Sequence, residues 1–294
     1  MAAAVARPHI LVLDTAAGPS FERLEVADAA RPGTPRVATP LFCERVDQRG
    51  GRGLCLTNNR VAVVHGISIF DDNFHVLYRL PMDGLPSRAR IAPNGEVGAV
   101  TSFVQGDAYN VDNFSTRTLL IDLVHGKVIA NLEDFSVTKA GEALHPIDEN
   151  FWGVTFAADS DTFYATMRTG SHYYLVRGHI STRRAVVLRD GVECPSISPD
   201  GTRIAYKNRI DHGFDPATWQ LRVWTIGTGT DVRLAESRSV DDQVAWLDNG
   251  RVSYVLSPDN ATVDTWAVPA DGTGLPALLI PTAESPVVVP SPPA

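Results

Sequence analysis

Apolar positions along this chain alternate with polar or small ones in short runs, and turn residues interrupt the runs at intervals. The clearest case is Glu193-Cys194-Pro195-Ser196-Ile197-Ser198-Pro199-Asp200-Gly201-Thr202-Arg203-Ile204-Ala205-Tyr206. Ile204 and Tyr206 alternate with small or polar neighbours, the period of a half-buried strand. Pro199-Asp200-Gly201 makes a turn for separate physical reasons: proline presets φ, aspartate bonds its own backbone, and glycine accepts φ above zero. The pattern predicts strand, tight turn, strand. Weaker echoes lie at residues 54–64, 91–100, 154–165 and 244–254, with turns expected at Asn58, Asn94, Asp159 and Asp248. The steps from Asp159 to Asp200 and from Asp200 to Asp248 fall in the range of propeller blades, about 40–50 residues, and that from Asn58 to Asn94 is slightly shorter. The long step from Asn94 to Asp159 carries an insertion.

Each echo is followed by a second hairpin. Its turns are expected at Met82-Asp83-Gly84, His125-Gly126-Lys127, near Gly178, at Gly227-Thr228-Gly229 and from Asp271 to Gly274. Two hairpins per repeat are four strands per repeat, which is a propeller blade. No amphipathic run of helical period competes with that reading. At the N-terminus three strands are predicted, at residues 10–14, 21–26 and 36–38, and an innermost strand is missing. The C-terminus has a spare one, Ser285 to Val289. The prediction is therefore an all-β fold: a single β-propeller over residues 1–294 with about six four-stranded blades. Its ring is closed by Ser285 to Val289 pairing with Ile10 to Asp14, which removes exposed sheet edges. Residues 1–8 and 290–294 are expected to be flexible tails.

Composition narrows the function. Of the 294 residues 44% are hydrophobic and 20% charged, enough for a sizeable core and against disorder. The net charge of −8 disfavours nucleic acid and anionic membranes, which need clustered lysine and arginine. No stretch approaches the ~20 apolar residues of a membrane span. Three cysteines do not make a disulfide scaffold. Cys43 and Cys55 could pair across a connection, though two buried thiols are the favoured reading, and Cys194 has no obvious partner. The start is too short for a signal-peptide core and Arg7 interrupts it. The expectation is a cytoplasmic monomer, or an exported one if the N-terminus has been trimmed.

The Ser-Pro-Asp-Gly-Thr-Arg-Ile-Ala-Tyr core of residues 193–207 resembles the repeats of TolB-like β-propellers, within the wider set of WD-like bacterial propellers. Residues 145–157 and 239–247 are also similar to stretches of actinobacterial TolB-like proteins. The resemblance implies the fold and says little about the ligand.

A propeller sorts residues by height. Residues just before the innermost strands, and those in the loops joining second to third strands, are expected on one funnel-like face, where function on this fold usually sits. Candidates before innermost strands are Arg52, Arg88 or Arg90, Asn150 with Trp152, Glu193, and Asp241 with Asp242. Loop candidates are His65, Asp71-Asp72-Asn73, Gln105, Asp107, Tyr109, Asn110, Asp112, Arg168, His172, Lys207, Arg209, Asp211 and His212. Of these, Trp152, Asn150, Tyr109, Asp107, Arg168, His212, Asp241 and Arg52 are the expected ligand contacts. Phe70, Phe74, Tyr109, Phe114, Phe151, Trp152, Tyr173 and Trp219 are either a pocket wall or packing between blades. Trp224, Trp246 and Trp266 sit within predicted strands and are expected in the core.

Two functions compete. The first is binding of a small molecule or a protein segment on that face. The second is an enzyme of a small-molecule pathway, of hydrolase, lyase or cyclase type. There Glu193 and Asp242 would be paired acid–base carboxylates, Lys207 would neutralise one of them, and His172 would be a base. No Gly-x-Ser-x-Gly elbow, His-x-x-x-His or Cys-x-x-Cys spacing occurs, so neither a metal nor a cofactor is expected.

Overall fold

The computed structural model describes residues 2–59, 64–104, 115–144, 148–213, 215–257 and 263–290. It is built from six sheets, each containing four antiparallel strands of the blade type, and the fold is a six-bladed β-propeller. The chain divides into two compact units, residues 1–43 with 194–294, and residues 44–193.

The first unit holds three blades. Blade 1 is β1 (His9–Asp14), β2 (Arg23–Asp28) and β3 (Val37–Phe42), with β26 (Ala283–Val289) as its innermost strand. The pairing of β26 with β1 runs from His9↔Val289 to Asp14↔Ala283. This is the predicted closure, extended by two residues at the start of the closing strand. Blade 5 is β18 (Glu193–Ile197), β19 (Arg203–His212), β20 (Asp215–Thr225) and β21 (Asp231–Arg233). Blade 6 is β22 (Ala245–Asp248), β23 (Arg251–Leu256), β24 (Asp264–Pro269) and β25 (Ala277–Ile280). Apolar side chains from neighbouring blades share each core. Ala205, Leu221 and Val223 of blade 5 pack with Val252, Tyr254 and Val268 of blade 6, and Ile10 and Val12 of blade 1 with Ile280.

The turn at residues 198–202 folds as its residues demand. Asp200 Oδ1 accepts from Ser198 Oγ at 2.6 Å and from the Thr202 N–H at 3.0 Å, and Gly201 takes φ +72°. Hydrogen bonds from Ser198 and Thr202 hold the Asp200 carboxyl down at about 2. The connector from blade 5 to blade 6 is fixed by a buried charge. Glu236 is 2% exposed and accepts from Arg238 Nη2 at 2.6 Å and Tyr254 Oη at 2.5 Å, while Arg238 lies 4.0 Å over the Trp266 ring. A buried carboxylate is tolerable here because each oxygen is bonded.

The second unit holds blade 2, β4 (Arg45–Arg49), β5 (Arg52–Asn59), β6 (Val64–Asp71) and β7 (Val76–Met82). Blade 3 is β8 (Leu85–Ile91), β9 (Val97–Val104), β10 (Ser115–Asp122) and β11 (Lys127–Asn131). Between blades 3 and 4 the predicted insertion forms a single 3-10 turn (Leu132–Asp134) and a hairpin, β12 (Ser136–Lys139) with β13 (Glu142–Leu144). Blade 4 is β14 (Asn150–Phe156), β15 (Thr162–Thr169), β16 (His172–His179) and β17 (Arg184–Arg189), and β12 adds parallel to β17, making a six-stranded sheet. A large core joins blades 3 and 4 through Leu120, Phe151, Phe163, Met167 and Val176. Gly178 faces Phe163 across the ladder, and a Cβ there would stand 2.2 Å from the ring, so only glycine lets the phenyl lie flat.

Two expectations are corrected. The first hairpin of blade 2 turns at Gly50-Gly51, both at positive φ, and not at Asn58–Asn59, which end β5. Its innermost strand, Arg45–Arg49, reads as polar because Asp47 is buried by accepting the Ile91 N–H at 2.7 Å and Gln48 by donating to Asp72 at 2.6 Å. Secondly, Cys43 and Cys55 are disulfide-bonded rather than buried thiols; Cys194 is buried and outside any disulfide. The Glu44 N–H donates to Leu56 O at 2.7 Å, which leads the chain past Cys55.

Two measurements check this architecture. The intact mass should rise by two hydrogens on reduction, and Cys55→Ser should cost about 3 kcal/mol in urea unfolding, the chain-entropy value for so short a loop. Val287 is 3% exposed in β26. Val287→Asp should cost about 4 kcal/mol or more by burying a charge, whereas Val289→Asp at the strand end should cost under about 1 kcal/mol.

Candidate functional site

Blade 4 gathers the largest set of expected contacts. Asn150 opens β14, as predicted; its Oδ1 accepts from the Thr116 N–H at 2.7 Å and its Nδ2 donates to Asp148 O at 3.1 Å. Asn150, Arg168 and Tyr173 are successive ladder partners across three strands. Direct partners share a sheet face, and so does Trp152, two residues on from Asn150. Trp152 packs edge-on against Tyr173 with ring centres 6.1 Å apart, and the Arg168 guanidinium stands 5.8 Å from the Tyr173 ring. The tight Gly170-Ser171 turn between β15 and β16 brings these residues to the strand ends where the innermost strand begins. His172 follows that turn and its Nδ1 lies 2.5 Å from Asp190 Oδ2. Asp190 also accepts from the N–H groups of Tyr173 at 3.1 Å and Gly191 at 2.8 Å. Partial burial pushes its carboxyl up, but the bonds from His172, Gly191 and Tyr173 outweigh this and hold it below the usual range.

Three carboxylates beside this patch had no signal in the sequence. Glu133 belongs to the 3-10 turn, and Asp148 and Glu149 lead into β14. Burial raises the Glu133 carboxyl, against a hydrogen bond from Asn131 and the Arg117 charge, and its Oε1 is buried with no partner among the described residues. Burial also raises Glu149, reinforced by repulsion from Glu133 and Asp148. Asp148 moves the other way: Thr169 Oγ donates to it at 2.6 Å and the Gly170 N–H at 2.8 Å, which lower its carboxyl. Neighbouring carboxyls driven apart in this way are an arrangement that acid–base chemistry uses. The inserted hairpin separates Glu133 from Glu149 in sequence, so no local spacing reveals them.

In the other unit, β19 and β20 continue their ladder to His212↔Asp215. Lys207 is 5% exposed and ion-paired to Asp241, the chain neighbour of Asp242, which with Glu193 was one of the two carboxylates it was expected to neutralise. Lys207 and Arg209 both approach the Trp219 ring, at 4.9 and 5.6 Å, Arg209 pairs with Asp211, and His212 Nε2 lies 2.8 Å from Thr218 Oγ. Glu193 is the first residue of β18 and buried, as expected of a residue entering an innermost strand. Asp242 lies in the connector to β22, and the two expected partners fall in different units.

Other candidates are placed elsewhere. Arg52 follows the Gly50-Gly51 turn, so it lies at the end of blade 2 opposite the start of its innermost strand, with Nη1 3.4 Å from Gly95 O. Asp71-Asp72-Asn73 sits at that same end, in the turn from β6 to β7. The cause is the misplaced turn: moving it from Asn58 to Gly50 exchanges the two ends of the blade. Arg88 and Arg90 lie inside β8 rather than before it. Phe70, Phe74 and Phe151 are core residues, at most 2% exposed. Gln105, Asp107, Tyr109, Asn110, Asp112 and Phe114 lie outside the described residues. Among the described residues there is no cluster of three or more metal-ligating side chains, and no helix is long and apolar enough to cross a membrane.

Comparison with known proteins places the fold. No family model matches the chain. TolB from Acinetobacter baumannii superposes with a TM-score of 0.68 at 16% identity, over 97% of this chain and 67% of that one. A puromycin-hydrolysing peptidase from Mycobacterium tuberculosis gives 0.53 at 13% identity, over 95% of this chain and 47% of that one. These identities establish a shared, TolB-like propeller fold alone. Over 80 residues the chain is 35% identical to dipeptidyl-peptidase 5 of Trichophyton schoenleinii. That match covers 26% of this chain and 11% of the peptidase, so the chain spans about a tenth of that curated relative.

The raised carboxyls carry a pH signature. A carboxyl whose folded pKa lies above its ordinary value favours the protonated fold, so its contribution is present below the ordinary value and lost as pH rises through the raised one. Glu149→Gln should therefore raise Tm at about pH 8 and leave it unchanged at about pH 4, read by calorimetry across that range.

Proposed function

We propose that this propeller binds its ligand at the strand ends of blade 4, with Trp152 and Tyr173 as apolar walls and Arg168 and Asn150 as polar contacts. The observation that carries the reading is the convergence of these four side chains on one sheet face beside a two-residue turn. An edge-on aromatic pair with a guanidinium over one ring suits a planar or carboxylate-bearing group, whether of a small molecule or of a protein segment. The rigid β14–β16 ladder limits the entropy lost on binding. Lys207 and His212 on the long β19–β20 hairpin, with Asp241 in the connector to β22, are proposed as a separate set of contacts within the other unit.

The enzyme reading keeps one supporting observation. His172, anchored through Nδ1 by Asp190, has the geometry of an oriented base, and the raised Glu149 beside the lowered Asp148 adds an acid. Glu193 in one unit, and Asp242 and Lys207 in the other, remain individual acid–base candidates of that reading. In either reading the buried disulfide suits an oxidising compartment, which favours export over the cytoplasmic expectation.

Native mass spectrometry of the purified chain tests the proposal. A co-purifying mass should be present in the wild type and lost in Arg168→Ala and Tyr173→Ala, with Tm lowered by no more than a few degrees. Retention of the mass in both variants would sink the blade 4 site. Conversion of that molecule on incubation, abolished in His172→Ala, would decide for the enzyme.

A further inference from the structure

Blade 4 carries a second polar cluster on the opposite sheet face from Trp152 and Tyr173. Successive strand residues point to opposite faces, so Tyr174 turns away from Tyr173. Tyr174 is 5% exposed and lies in the core with Met167 and Val176. The Tyr174 hydroxyl accepts a hydrogen bond from Lys139 Nζ at 2.8 Å, and the same ammonium lies 4.4 Å from the ring centre. His172 stacks on that ring, centres 5.2 Å apart and planes 8° from parallel. Asp190 holds His172 by Nδ1. The contacts Asp190–His172–Tyr174–Lys139 thus run from the end of blade 4 to the inserted hairpin.

The cluster is rich in donors and poor in acceptors. An ammonium has three donors and no acceptor, and a phenol one donor. Lys139 makes no ion pair with a carboxylate among the described residues, and the Tyr174 proton, displaced by the bond from Lys139, has no acceptor there either. Asp190 does not fill that place: its bonds go to His172, Tyr173 and Gly191. A buried hydroxyl with an unused donor is costly unless something accepts from it.

We propose that Lys139 Nζ and Tyr174 Oη form a subsite for one oxyanion group, a carboxylate or a phosphate. Lys139 supplies the charge and Tyr174 the directional hydrogen bond, which together are stronger than a neutral pair. His172, fixed by Asp190, braces the phenol ring. The subsite is independent of the Trp152–Arg168 patch, because it lies on the other face of β16.

Isothermal titration of inorganic phosphate, and separately of acetate, into the full chain at fixed ionic strength tests this. The wild type should bind one equivalent of one of the probes. Lys139→Met and Tyr174→Phe should each weaken it at least ~tenfold, about 1.4 kcal/mol, while Arg168→Ala should leave it unchanged. Tighter binding of phosphate assigns a phosphate monoester, and tighter binding of acetate a carboxylate. Saturation by neither probe, or unchanged affinity in Lys139→Met, would overturn the subsite. Lys139 is exposed, so that variant decides the matter even if Tyr174→Phe fails to fold. Loss of binding in Arg168→Ala would equally overturn it, since the anion would then belong to the other face.

Discussion

The pairing of β26 with β1 is the constraint on which the first unit depends. It joins residues 283–289 to residues 9–14, so the innermost strand of blade 1 arrives from the far end of the chain. Closing a loop of that length costs roughly 5 kcal/mol of chain entropy beyond a fixed term. The return is a fully paired blade. Leu11, Val12 and Leu13 are completely buried, and the core around Ile10, Val12, Ile280 and Ala283 exists only once both termini are in place. Without β26 the inner edge of β1 would be open to any other strand.

Polar groups do as much as apolar ones to fix the blades. Asp47 reaches from β4 to the Ile91 N–H of β8, and Thr118 and Thr116 bond Phe151 O across blades 3 and 4. Gln243 and Trp246 bond Pro195 O and Ser196 O from blade 6 to blade 5. Each satisfies a backbone group at an innermost strand, where an unpaired group would be expensive. The same economy governs blade 4. Asp148 caps the β15–β16 turn and Asp190 caps the end of β17, so the side chains between them, Arg168 to Tyr174, are held on rigid backbone.

That arrangement separates two chemistries by one residue. Tyr173 faces Trp152 and Arg168, and Tyr174 faces Lys139 and His172. The alternation of a strand is enough to place an aromatic–guanidinium patch and a donor-rich cluster on either side of the same sheet. The inserted 3-10 turn and hairpin then bring Glu133 and Lys139 to blade 4, although the hairpin belongs to no blade repeat.

The sequence by itself determined the fold class, the repeat and the closure. Those rest on short-range signals: alternation at Ile204 and Tyr206, turn chemistry at Pro199-Asp200-Gly201, and a spare apolar strand at the C-terminus. It also placed Asn150 and Glu193 at the start of innermost strands. It misread blade 2, because Arg45–Arg49 hides a buried strand behind charged side chains and Gly50-Gly51 is a turn without proline or aspartate. Tertiary structure alone decided the partners of Lys207 and His172, the raised Glu133 and Glu149, the Cys43 and Cys55 sulfurs, and the approach of Lys139 to Tyr174. The physical reason is range. A turn or a strand is written within a few residues, whereas a charge or a donor meets its partner across blades, at separations that no local pattern encodes.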